Sequence, residues 1–368
     1  MARRAVVCGL MLALAAAAPA MPQAAAAPGP VAECDRRAGS PRDPDRTSGT
    51  TGVALAAIDL ATARAACEAA ATAYPRDPRL LANLGRIAAA AGDLAAARAL
   101  FVEADAKGSL LGTVNLAAMH AAGQGAPRDA ALALALVRKA AAQGYPPGLT
   151  ALGEAYLRGE GVSRDPVAAA ALFARAIALG DPLAMVRLGE AHAAGVGVPA
   201  DAATAADLFR KAADAGSPEG LFALSSAHLQ GFGVAQDDAL AFALAGRAAE
   251  AGAVEAFARL GDHHRTGRGV ARDWTAAKTW YRRGAEAGDP AAMTGLAGIL
   301  AISVFDAAVL AEARALYLRA AELGHGPAMI PLADMLRDGE GGPADAEAAA
   351  LWERRARGAL PGSRAPVR

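Results

Sequence analysis

Histidines, paired serines and glycine-rich loops are the residues of this sequence that could make an enzyme or a metal site, and their spacing decides what they can do. His120, His192, His228 and His264 stand at one register of a 36-residue period, where the unit 145–180 has Tyr156. A row of imidazoles invites a metal hypothesis. Side chains one repeat apart are separated by about 10 Å, a helix-packing distance, whereas the ligands of one zinc ion each lie about 2 Å from it. The adjacent His263 and His264 point to different sides of a helix. The ladder therefore reads as a packed position that hydrogen-bonds within its own hairpin, and no metal is expected.

The stretch RGEGVSRDP (158–166) raises the same question for a phosphate or calcium. A phosphate loop would end in Gly-Lys-Ser/Thr, and a calcium loop would space at least three oxygen ligands. Neither pattern is present. As a turn, each residue has a physical role. Gly159 suits a left-handed helix end, Gly161 lets the chain reverse, and Val162 can tuck between hairpins. Asp165 can cap the next helix, with Pro166 at its first position, where no N–H is missed. Ser225 and Ser226 are the paired serines of the array, but no Ser-x-x-Lys, Gly-x-Ser-x-Gly or His-Glu-x-x-His motif accompanies them. No carboxylate recurs beside a base in a way that suggests acid–base work. Trp274, Trp280 and Trp352 lie in or beside the second helical stretches, the last two at a packing position usually held by leucine. No catalytic residue and no cofactor is expected.

All of these residues belong to an array. Glycines recur at 108, 144, 180, 216, 252, 288 and 324, and leucines at 116, 152, 188, 224, 260, 296 and 332. Glycine pairs stand at 123/125, 159/161, 195/197, 231/233, 267/269 and 339/341, and aspartates at 129, 165, 201, 237, 273 and 345. Each unit carries apolar residues at helical spacing in both halves: Met185, Leu188, Ala191 and His192, then Ala206, Phe209, Ala212 and Ala213 in the third. The unit is a helix-turn-helix hairpin. Neither helix can hide its apolar stripe alone, so neighbours must stack into an α-solenoid. The sixth unit departs: Ser303 and Phe305 replace its glycines and Val309 its aspartate, so its hairpin is expected with an altered loop.

Composition narrows the partners. The 368 residues include 37 basic and 37 acidic ones, so no electrostatic feature points to nucleic acid or an anionic membrane. Abundant alanine with 4% aromatics favours closely packed helices over sheets. Arg3 and Arg4 precede the apolar AVVCGLMLALAAAA (5–18), and small residues follow, the pattern of an export signal over 1–26. The apolar core is shorter than the ~20 residues a spanning helix needs, and Pro19 interrupts it. No stable membrane span is expected after its removal, and the destination is the periplasm or beyond. Cys8 lacks a lipobox. Cys34 and Cys67 remain in the mature chain, and two cysteines in an exported protein are expected to pair, the competing reading being two unpaired thiols. Closing such a loop contributes about 3–4 kcal/mol on the chain-entropy model.

The repeat, written out most fully in ALGEAYLRGEGVSRDPVAAAALFARAIALG (151–180), resembles the Sel1-like repeat, a relative of the tetratricopeptide repeat with a longer loop. The resemblance covers 109–358 as seven repeats of 36 residues. It implies an all-α, right-handed superhelical α-solenoid of Sel1-like/tetratricopeptide-like helix hairpins. Upstream, 78–108 resembles a plain tetratricopeptide hairpin, and 56–78 reads as a cap helix, so 56–108 forms the N-terminal end. The turn-rich 27–55 is expected as a linker and 359–368 as a disordered tail. In tetratricopeptide-like arrays the first helices line the concave groove. Carried over by repeat position, that places Thr150, Glu154, Arg158, Glu190, Ser226, Gln230, Asp262, Arg265, Asp334 and Arg337 there. Their mixed signs suit a protein or peptide partner. The implied role is a non-enzymatic interaction scaffold of the bacterial envelope, possible partners including other envelope proteins. The alternative is a cell-wall-directed protein that binds peptidoglycan or β-lactams, with or without hydrolysis. The branch of the family associated with that activity carries paired cysteines in its repeats, and 109–358 contains none.

Overall fold

The computed structural model describes residues 29–303 and 306–359. The expected signal peptide over 1–26, and all but Ala359 of the expected tail, lie outside the described residues. The chain is an α-solenoid built from successive helix hairpins. The N-terminal end comprises α1 (Pro30–Ala38), α2 (Leu60–Ala73), α3 (Pro78–Ala90) and α4 (Leu94–Ala106). Seven hairpins follow: α5 (Leu110–Ala122) with α6 (Ala130–Ala142), α7 (Pro146–Arg158) with α8 (Pro166–Ala178), and α9 (Pro182–Ala194) with α10 (Ala202–Asp214). The next are α11 (Pro218–Gln230) with α12 (Asp238–Glu250), and α13 (Glu255–Thr266) with α14 (Trp274–Glu286). The last are α15 (Pro290–Ser303) with α16 (Ala307–Glu322), and α17 (Gly326–Asp338) with α18 (Ala346–Ala359).

The loop ladders work as local signals. The first glycine of each pair ends a first helix in the left-handed conformation, as Gly159 does at φ 72°. The aspartates at 129, 165, 201, 237, 273 and 345 each accept a backbone N–H of the following first turn at 2.9–3.0 Å. The loop between is closed by a backbone bond from that aspartate to the residue nine earlier, for example Asp165 N to Tyr156 O at 2.9 Å. The second glycine faces the preceding hairpin. A Cβ on Gly161 would lie 2.7 Å from the Ala130 carbonyl oxygen, and one on Gly233 would overlap the Ala202 carbonyl outright.

In the second, third and fifth units the two helices of the hairpin meet at a glycine and an aromatic ring. Gly153 lies against Phe173, Gly189 against Phe209 and Gly261 against Tyr281, each so close that a Cβ would strike the ring. In the fourth unit both partners change, to Ser225 and Ala245, and the Ser225 hydroxyl donates to the Ala241 carbonyl at 2.7 Å. The leucine ladder is buried at 116, 224, 260, 296 and 332 and half-buried at 152 and 188. Trp352 is buried and Trp280 half-buried, while Trp274 is 44% exposed under the Arg272 guanidinium.

Two regions differ from the sequence expectation. The stretch 27–55 is not a linker. It contains α1, which pairs with α2 through the disulfide Cys34–Cys67 and makes the cap a hairpin, not a lone helix. The reason is a set of buried polar groups that alternation of apolar residues cannot reveal. Asp35, fully buried, accepts from the Thr47 amide and hydroxyl (2.8 and 2.7 Å) and from Asn83 (3.1 Å). Arg86 donates to the Ala38 and Val53 carbonyls, both at 2.6 Å, and burial lowers its pKa to about 10. In the sixth unit the hairpin persists, but its second helix starts three residues early. Asp306, outside the aspartate ladder, takes the capping role by accepting from the Ala308 amide at 2.8 Å.

The two glycine environments predict different costs. Gly216 has φ 80° with open space around its missing Cβ, so Gly216→Ala should cost only the left-handed strain, about 1–2 kcal/mol. Gly233→Ala adds the collision with Ala202, and about 2–5 kcal/mol is expected in all. Urea unfolding of both variants compares them directly.

Candidate functional site

The first helices lie side by side because each loop glycine seats against the preceding hairpin, and the grooves between them form a row of compartments. The first, about 400 Å³, opens between α5 and α7 over a floor of small side chains, including Ala118, Ala121 and Ala151. Its rim carries Arg42, Arg128, Arg158, Glu154 and Glu160. The second, about 480 Å³, lies between α9 and α11 over Phe222 and Phe232, with Arg187, Glu190, Ser226 and Gln230 on its walls. A third, about 230 Å³, lies between α11 and α13 and contains Arg259, Asp262, Arg265 and Arg268.

The structure brings most of the expected groove residues into these compartments and sets others apart. Glu154 and Arg158 face the first, Glu190, Ser226 and Gln230 the second, Asp262 and Arg265 the third. Asp334 and Arg337 instead pair with each other at 2.8 Å, and Arg337 also bonds Glu353 of α18, at the C-terminal end of the array. Thr150 needs correction: it is fully buried and presents nothing to a partner. Its hydroxyl donates to Asp181 Oδ2 at 2.5 Å. Many of the charged residues are already matched. Arg187 bonds Glu154 of the preceding first helix at 2.6 Å and Glu190 of its own at 3.1 Å. Burial works against the Arg187 charge, but the two glutamates outweigh it and hold its pKa above the ordinary arginine value. Asp262 accepts from Arg265 and from the Tyr281 hydroxyl, both at 2.7 Å.

Residues that the repeat pattern could not supply complete the site. Arg42, from the segment between α1 and α2, reaches 139 positions along the chain to Asp181 in a bidentate pair (2.9 and 2.6 Å). Burial opposes the Arg42 charge; the bonds and charge of Asp181 overcome it and raise its pKa. Next to it the Tyr145 hydroxyl donates to Asp43 at 3.1 Å. This segment is a strap across the N-terminal helices of the array, and Ala54 reaches as far as Gly252. Arg187 and Arg259 were also missed, although they stand at one register, three residues before the expected positions 190 and 262.

The histidine ladder is only partly as expected. His192 and His228 Nδ1 lie 3.1 and 3.2 Å from the Pro199 and Ala235 carbonyls of their own loops. In the fifth unit the off-register His263 makes that contact, with Arg268 O at 2.6 Å, while His264 Nδ1 is buried without a partner. Phe242 explains the change, since its ring packs edge-on against both imidazoles. His120 Nδ1 also has no partner. Among the described residues no group of three or more potential ligands could hold a metal ion, and no helix is long and apolar enough to cross a membrane.

The Sel1 repeat family model matches residues 111–145, 146–181, 182–217, 218–252, 254–289, 307–325 and 326–356. The chain is similar to the crystal structure of a Sel1 repeat protein from Oxalobacter formigenes, with 26% identity and a TM-score of 0.51, covering 79% of this chain and 86% of that one. It is similar also to a protective antigen present in uropathogenic Escherichia coli strains that displays an SLR fold, with 27% identity, a TM-score of 0.42, and 82% and 73% of the two chains covered. An immunity protein from Pseudomonas aeruginosa matches at 22% identity and a TM-score of 0.46, over 60% of this chain and 84% of that one. No curated protein matches at a significant level.

The strap makes a pH prediction. Burial pushes the Asp43 carboxyl above its ordinary range, although bonds from the Asp45 amide and Tyr145 oppose the shift. A carboxyl whose folded pKa is raised stabilises the fold when protonated, and that contribution is lost as pH rises through the folded value. Asp43→Asn keeps an acceptor for Tyr145 and cannot ionise. It should be more stable than the wild type at pH 7, with the gap closing as pH falls through the raised folded value and gone below about 3.9, the ordinary aspartate value. Thermal melts at pH 7 and near pH 4 measure the difference.

Proposed function

The chain belongs to the Sel1 repeat family, and on that premise we propose that it is an exported scaffold of the bacterial envelope that holds a polypeptide partner in its concave groove. Sel1 repeat proteins are in general protein-interaction scaffolds and typically non-enzymatic. The observation that carries the reading is the row of compartments between consecutive first helices. The first two pair an apolar floor with charges of both signs on their walls, and the third is lined mainly by charged side chains. Such a surface complements a peptide's alternating apolar and polar side chains, whereas a polyanion would require one sign throughout. No bond is made or broken: affinity accumulates over several repeats, and little ordering cost falls on the strapped N-terminal ones, which already stand in place. The exported, periplasmic part of the proposal is supported by the N-terminal sequence alone.

The test is capture of a partner from envelope extract, using the chain from about residue 28 as bait. Reversing three charges together (Arg158→Glu, Asp262→Arg and Arg265→Glu) should abolish capture while leaving the far-ultraviolet circular dichroism unchanged. Capture that survives the triple reversal would sink the groove as the binding surface.

A further inference from the structure

The first helices contain an arginine at the same register in two units, and the two differ in the carboxylates that bond them. Arg187, on α9, reaches back 33 positions to the Glu154 carboxylate on α7 at 2.6 Å. Arg259, on α13, reaches back the same 33 positions to α11, where the residue is Ser226 and the contact is a hydroxyl at 3.3 Å. The cation has been kept and its carboxylate is gone. No carboxylate among the described residues pairs with Arg259, and burial pushes its pKa below the ordinary arginine value. Its guanidinium is held in place by the Phe222 ring, 5.3 Å from the centroid.

The other charges around it do not fill the vacancy. Asp262 attracts Arg259 from one turn along, but its bonds go to Arg265 and Tyr281, both at 2.7 Å, and Arg268 is matched by Asp238 at 2.7 Å, so in the small compartment they share Arg259 has no carboxylate bonded to it. Glu219 and Glu255 lie exposed on the rim of the neighbouring compartment, where a carboxylate would be repelled and a cation welcomed. A half-buried guanidinium fixed by stacking loses little freedom on gaining a carboxylate, and a charge-assisted bond there is stronger than a neutral one.

We propose that Arg259 and Ser226 form a subsite for an acidic side chain of an extended partner segment, whose carboxylate takes the place that Glu154 occupies against Arg187. Phe222 and Phe232 receive the apolar residue beside it, and Glu219 and Glu255 favour a basic residue next along. The partner segment therefore carries basic, apolar and acidic side chains in succession. This assignment rests on the reading of the groove as a polypeptide site and adds to it the chemistry of the occupant.

The test uses a short peptide, N-acetylated and C-amidated, with Lys-Leu-Glu at its centre in a Gly/Ser context, and measures its binding by fluorescence polarisation. Replacing the peptide's Glu by Gln should weaken binding about tenfold or more, as expected for a charge-assisted bond. Ser226→Glu supplies the missing carboxylate from within: it should raise the melting temperature and weaken the Glu peptide to the level of the Gln peptide. Arg259→Gln should weaken it likewise. The proposal is overturned if the unmodified protein does not bind the Glu peptide or binds the two peptides alike, or if Ser226→Glu binds with unchanged affinity. A Gln peptide with a free C-terminal carboxylate that binds as well as the Glu peptide would also overturn it, in favour of a chain terminus. Loss of partner capture in the triple charge reversal but intact peptide binding by Ser226→Glu leaves the groove standing and removes this subsite alone.

Discussion

The contact on which most of the array depends is that between the second glycine of every repeat loop but the sixth and the carbonyl at the start of the preceding hairpin's second helix. The partners are always 31 positions apart, as in Gly125 with Leu94, Gly161 with Ala130 and Gly233 with Ala202. A side chain at any of these glycines would push the loop off the neighbouring helix and change the angle at which the next hairpin is laid down. The contact is repeated, so a small change at each step would accumulate along the array. It fixes how far apart successive first helices stand, and the compartments between them take their width from it.

With stacking fixed this way, each first helix has few faces left to choose from. One is taken by its own second helix, in three units through the glycine–aromatic contact, and two by its neighbours. The remaining face lines the groove, where cross-helix ion pairs such as Arg187 with Glu154 tie consecutive units together. Partly exposed pairs of this kind add little stability. Their larger effect is to orient the side chains that a partner would meet.

Local and periodic features were legible in the sequence. The left-handed glycines, the capping aspartates and the buried leucines each depend on a few neighbouring residues and recur, so one unit explains the others. The groove face was legible by the same rule, but only by position: Glu190 and Ser226 were found, whereas Arg187 and Arg259 fell three residues to one side. Features that occur once were hidden. Arg42 meets Asp181 across 139 positions, and no spacing in the sequence links them. Thr150 sits at a groove register, yet Asp181 claims its hydroxyl. Asp306 lies off the ladder and is recognisable as a cap only once the second helix is seen to begin at Ala307.

The strap also changes what kind of solenoid this is. In a plain array each unit touches only its neighbours, and stability is a sum of local terms. Here the cap hairpin, closed by Cys34–Cys67, extends a segment that bonds Tyr145 and Asp181 and rests against Gly252. Opening any of those units must break contacts with the N-terminus as well as with the adjacent hairpins. The N-terminal half is therefore more cooperative than the units beyond α13, where no such tie exists among the described residues, and local opening is cheaper toward α17 and α18. The proposed groove, which starts in the tied half and runs into the looser one, would offer a partner rigid compartments first. The ordering cost of the remaining units then falls on contacts made after the partner is already anchored.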